Sequence, residues 1–189
     1  MGMNLQDVEA FDVRQRLTVM VNRYEIRVAS RNGDGPLLAM AQQKRLAFKE
    51  EVTFFADDTM TRPVFSFKAR KKIDLNAGYD IFDEARNQIG FFRKDFGASL
   101  MRSTFHIEGP GYAGTGQERS QAIAIIRRFT DIPFLPIHFD FVGAGGEPLL
   151  GVERQGSVRD KYTVHVPDQR VDFRVAAAMA VGLDALMLR

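Results

Sequence analysis

Between positions 17 and 166 apolar and polar residues mostly alternate in short runs. Leu17, Val19 and Val21 fall on one face, and after Asn22 the residues Tyr24, Ile26 and Val28 alternate with Glu25 and Arg27. The same period of two recurs at 37–41, 46–55, 65–70, 79–82, 89–93, 101–107, 137–141 and 162–166. Alternation of this kind predicts half-buried β-strands. Asn32-Gly33-Asp34-Gly35-Pro36 and Gly143-Ala144-Gly145-Gly146-Glu147 read as turns. Many short strands separated by turn residues indicate a sandwich or barrel. No Pro-, Gly- or Ser-rich linker divides the chain, so the expectation is a tail over 1–12 and a single domain over 13–189.

Two segments break the alternation. Residues 118–129 place Ala122, Ile125, Ile126 and Phe129 on one side, which predicts a short surface helix. The other is 171–188, in which only Gly182 and Asp184 interrupt an apolar run from Val175 onward. A helix with no polar face is buried in protein or in lipid. The uninterrupted apolar runs fall short of the roughly 20 residues that span a bilayer, and Asp184 would lie inside one. About 18 helical residues extend roughly 27 Å, a length that suits the axis of a closed barrel. Ala176, Ala177, Ala178 and Ala180 let strands approach it closely, and Asp168 or Asp172 is suited to cap its start. The expected fold is therefore all-β dominated, a closed barrel around a buried hydrophobic C-terminal helix.

Composition narrows the function classes. The chain has 16 Phe, no Trp and no Cys. Absence of cysteine excludes disulfides, thiolate metal sites and a Cys nucleophile, and it fits a reducing, cytoplasmic compartment. Residues 1–7 lack the basic and apolar regions of a signal peptide. A net charge of +2 is too small for a large nucleic-acid footprint, so no nucleic-acid partner is expected.

Several segments resemble LURP-one-related proteins. They include Asn22-Arg23-Tyr24-Glu25-Ile26, Gln43-Lys44-Arg45-Leu46, Lys49-Glu50-Glu51-Val52-Thr53-Phe54-Phe55 and Phe67-Lys68-Ala69-Arg70-Lys71-Lys72. Tyr79-Asp80-Ile81-Phe82-Asp83, Asp160-Lys161-Tyr162-Thr163-Val164 and the terminal apolar segment follow in family order. The resemblance, which extends to tubby C-terminal domains and phospholipid scramblases, implies a barrel of about twelve strands threaded by the C-terminal helix. Phe105 stands where many relatives carry Trp.

The candidate chemistry is sparse. Gly109, Gly111 and Gly114 match G-x-G-x-x-G between an expected strand and an expected helix. Without βαβ units around it, and with Pro110 removing a backbone donor, this match is weak for a nucleotide-dependent enzyme. His106, His138 and His165 lie on the polar side of their strands with no metal or catalytic spacing. In the acidic segment that scramblases place before the helix, calcium-loop spacing selects Asp160, Tyr162 and Val164, of which only Asp160 ligates through a side chain. No catalytic, metal or cofactor site is assigned.

The remaining candidate is a basic cluster of Lys68, Arg70, Lys71, Lys72 and Lys49, with Lys44 and Arg45 nearby. Two cations about 7 Å apart on one strand face suit a phosphate or lipid headgroup. The resemblance to tubby domains implies a phosphoinositide role for this Lys-x-Arg pair. Glu50, Glu51 and Asp74 offer the alternative of a charge-balanced wall. The expected function is a non-enzymatic, soluble binding or scaffold domain for an anionic ligand such as a phospholipid headgroup, peripheral to a membrane and open to a protein partner. A scramblase-like membrane protein and a nucleotide-dependent enzyme using 109–114 are the alternatives.

Overall fold

Inward-facing aromatic and branched side chains recur on most strands, and their burial favours a sheet curled until its two edges meet. In the computed structural model β1 (Ala10–Leu17), β2 (Val21–Val28), β3 (Leu37–Lys44), β4 (Glu51–Phe55), β5 (Pro63–Ala69) and β6 (Tyr79–Asp83) form one half of the wall. The other half comprises β7 (Gln88–Asp95), β8 (Thr104–Gly109), β9 (Tyr112–Glu118), β10 (His138–Gly143), β11 (Pro148–Gln155) and β12 (Lys161–His165). Each strand pairs antiparallel with its sequence neighbours, and β1 closes on β12 with Phe11 opposite Val164. Closure leaves no unpaired edge. The structure describes residues 8–17, 21–30, 34–44, 51–70, 78–95, 103–120, 137–155 and 161–187.

The lumen holds α1 (Phe173–Met187), the expected terminal helix with its start moved inward by two residues. Asp172 provides the cap: its Oδ1 accepts the Arg174 amide at 2.8 Å, whereas Asp168 accepts the Arg170 amide in the preceding turn. Val175 through Val181, Gly182 and Leu183 are buried. Phe11 and Phe65 meet the Phe173 ring edge-on at 5.5 and 6.1 Å, and Phe92 stacks on Tyr79 at 4.9 Å. A Cβ on Gly182 would lie 2.5 Å from the fully buried Phe92 ring. Gly182→Ala is therefore expected to destabilise by about 1–3 kcal/mol, since overpacking outweighs the helix-propensity gain of roughly 1 kcal/mol. A higher urea midpoint for that variant would refute this packing.

Asp184, buried on the helix, accepts hydrogen bonds from the Tyr162 hydroxyl at 2.6 Å and the Tyr24 hydroxyl at 3.2 Å. Gln15 Nε2 donates to the same Tyr24 oxygen at 3.2 Å. These contacts tie the helix to β1, β2 and β12, across the seam where the barrel closes.

Three local expectations change. Strand β1 opens at Ala10, inside the expected tail, because Phe11 and Val13 face the core. Glu118 ends strand β9 instead of opening a helix, since its backbone pairs with Phe139 of β10; residues 121–129 of that expected helix lie outside the described residues. The 109–114 segment joins two strands, not a strand and a helix: Pro110 and Gly111 make the β8–β9 turn, with Gly111 at φ 77°. Gly114 lies in β9, and the Tyr112 ring closes over Gly109. A pyrophosphate loop at a helix N-terminus is thus replaced by a hairpin.

Candidate anion-binding face

Antiparallel order gives the barrel two distinct ends. The β6–β7, β8–β9 and β10–β11 turns surround the start of α1, where Arg170 bonds the Gly111 carbonyl at 3.0 Å and reaches Glu147, and Arg174 reaches Glu84. The opposite end surrounds the finish of α1. There the inward-facing Lys94 donates to the Leu186 carbonyl at 2.9 Å, placing a cation at the negative end of the helix dipole.

Lys68 and Arg70 sit at this second end, on the outer face of the wall. Alternation along β5 turns Phe65 and Phe67 inward, and Lys68 outward. In register, Lys68 stands between Glu51 of β4 and Asp80 of β6. Both carboxylates are held by arginines: Glu51 by Arg86 at 2.5 Å, and Asp80 by Arg70 at 2.8 Å. Arg70 also lies over the Phe91 ring, 4.0 Å from its centroid. The Asp80 carboxylate raises the Arg70 pKa, keeping the guanidinium charged. The chemistry is that of a fixed guanidinium beside an exposed ammonium, a pair suited to an oxyanion. Lys49, Lys71 and Lys72, with Arg45, lie outside the described residues.

The other candidates remain separate. His106 bonds Thr115 Oγ1 at 3.1 Å and approaches Asp95 at 3.4 Å, His138 lies 3.7 Å from Glu153, and His165 is exposed on β12. These partners lie on different stretches of wall and do not converge. Tyr162 and Val164 face the core, so the calcium-loop positions they occupy point away from solvent; Asp160 lies outside the described residues. Among the described residues no cluster of three His, Asp or Glu groups has metal-holding geometry, and no helix is long and apolar enough to cross a membrane.

A second basic surface escapes the sequence reading. Arg14 and Arg16 alternate on β1, and Arg23 and Arg27 on β2, all on the outer face. The i, i+2 spacing of Arg14 and Arg16 and the i, i+4 spacing of Arg23 and Arg27 are visible in the sequence, but a tail ending at residue 12 leaves the first strand of the pair incomplete.

In comparison with known proteins, the family model described as LURP-one-related matches residues 38–184. No curated protein and no solved structure gives a match.

Proposed function

The chain belongs to the LURP-one-related family, and from that premise we propose that it works by binding, not catalysis, with the Lys68 wall engaging an anionic phospholipid headgroup at a membrane surface. The observation that carries this reading is the exposed Lys68, whose two neighbouring carboxylates are already occupied by Arg86 and Arg70. An ammonium with both adjacent acids committed elsewhere retains its attraction for an incoming phosphate. Arg70, clamped by Asp80 and Phe91, presents a cation of fixed position beside it. The barrel interior contributes structure: its volume is taken by α1 and the inward rings.

Vesicle co-sedimentation tests the proposal. The full chain is expected to sediment with vesicles containing a phosphoinositide and not with neutral phosphatidylcholine vesicles. Lys68→Glu, which removes no described contact of the folded wall, is expected to lower the bound fraction several-fold, and added salt to lower it further. Absence of sedimentation by the wild-type chain, or equal sedimentation of Lys68→Glu, would overturn the reading.

A further inference from the structure

Among the described residues, the outer wall of β12, β1 and β2 carries Arg14, Arg16, Arg23, Arg27 and Lys161, and their ion pairs are with Asp12, Glu25 and Asp34. Every one of those carboxylates is taken. Asp12 receives Lys161 at 2.9 Å and the Thr163 hydroxyl at 2.9 Å, while Asp34 pairs with Arg14. Glu25, largely buried, receives Arg16 at 3.1 Å and Arg27 at 3.2 Å. Arg23 donates to the neutral Gln42 Oε1 at 3.3 Å and, among the described residues, pairs with no carboxylate.

The register makes this imbalance local. Arg16 and Arg23 are directly opposed across β1 and β2, and Gln42 is opposed to Arg23 across β2 and β3. Directly opposed residues on one sheet face have Cβ atoms about 4.5–5.5 Å apart, and like charges so placed destabilise the pair. Both members are arginines, whose planar fork of donors matches the oxygens of a phosphate. The Arg16 side chain is 58% exposed, so the pair is open to solvent.

We propose that Arg16 and Arg23, with the Gln42 amide alongside, form a binding site for a phosphate-type oxyanion. An anion seated between the two guanidiniums converts their repulsion into two charge-assisted contacts. The site is separate from Lys68: β2 and β5 are three strand spacings apart, roughly 14 Å along the wall. It stands whether or not the Lys68 surface binds lipid.

The test uses the full chain and inorganic phosphate, titrated against chloride at constant ionic strength. NMR shifts of the Arg16 and Arg23 Nε–Hε groups are expected to saturate with phosphate and to move little with chloride. Arg23→Gln is expected to weaken phosphate binding about tenfold, the loss of one charge-assisted contact. Without phosphate, the same variant is expected to melt no lower than wild type, because like-charge repulsion is relieved; a purely structural Arg23 would give a lower melting temperature. A parallel arm compares vesicles of phosphatidic acid, which displays a phosphate monoester, with phosphatidylserine. Preference for phosphatidic acid that is lost in Arg23→Gln identifies a lipid source, and phosphate binding without vesicle binding identifies a free one. Absence of saturable shifts at both arginines, or phosphate affinity unchanged in Arg23→Gln, overturns the proposal.

Discussion

Deleting residues 171–189 is expected to leave no cooperatively folded barrel. The deletion removes Phe173, Val175, Met179, Val181, Leu183 and Leu186, all buried, together with the alanines between them. Each large apolar side chain contributes about 1.5–3 kcal/mol on burial. Six of them match or exceed the roughly 5–15 kcal/mol by which a domain of this size is stable. The lumen they vacate is lined by Phe11, Phe65, Phe67, Phe92, Phe105 and Phe139, whose buried rings would face an unfilled cavity or water. Circular dichroism and gel filtration give the readout: loss of a sigmoidal thermal transition and recovery in the aggregated fraction. A truncated chain that stayed monomeric with a sharp melt would show that the wall holds itself closed, contrary to this account.

Asp184→Leu carries the next largest expected effect. Leucine fits the apolar lumen, but it leaves the Tyr24 and Tyr162 hydroxyls without their acceptor. A buried donor that loses its acceptor costs about 1–3 kcal/mol, so two such losses cost roughly 2–6 kcal/mol. The origin of the loss is testable by removing the hydroxyls as well. In Asp184→Leu combined with Tyr24→Phe and Tyr162→Phe, most of the stability is expected to return. A remainder is expected to persist because Gln15 Nε2 loses the Tyr24 oxygen it bonds. Asp184→Asn is expected to fall between wild type and Asp184→Leu, since its carbonyl still accepts from Tyr162 and its amide can donate to Tyr24. Urea denaturation of the four proteins measures the series. If the triple variant were no more stable than Asp184→Leu, the loss would come from something other than the two hydroxyls.

The β8–β9 hairpin illustrates how a motif misleads when its neighbours are unknown. Gly109, Gly111 and Gly114 have phosphate-loop spacing, yet each has a separate structural reason. Gly111 supplies the positive φ of a two-residue turn. Gly109 lies under the Tyr112 ring, and a Cβ on Gly114 would meet the Leu149 side chain at 2.5 Å. Tyr112-to-Glu118 was hard to read as a strand because glycine replaces the alternating inward hydrophobe. Gly116, for instance, makes room for the Phe141 ring reaching over from β10.

The basic cluster shows a similar division. Outward alternation of Lys68 and Arg70 follows from the period-2 pattern around Phe65 and Phe67. That Arg70 is bound to Asp80 and Phe91, leaving Lys68 between two occupied carboxylates, depends on strands β4, β6 and β7 brought alongside. Pairing partners lie on other segments, so one segment's pattern cannot reveal which charges are already neutralised.

What the sequence determined by itself is what short-range chemistry encodes. Alternating hydrophobes specify strands, and a terminal segment apolar on every face specifies a helix with no place but an interior. Order and spacing of short motifs specify the family. The tertiary structure alone decided which residues meet. It closed β1 onto β12, set the Asp184 carboxylate against tyrosines from β2 and β12, and placed Arg16 opposite Arg23. Those contacts join positions far apart in the chain or depend on the register of one strand against the next. The helix identified the architecture from sequence because an apolar surface needs only burial, whereas a charged side chain acquires its role from the partner the fold supplies.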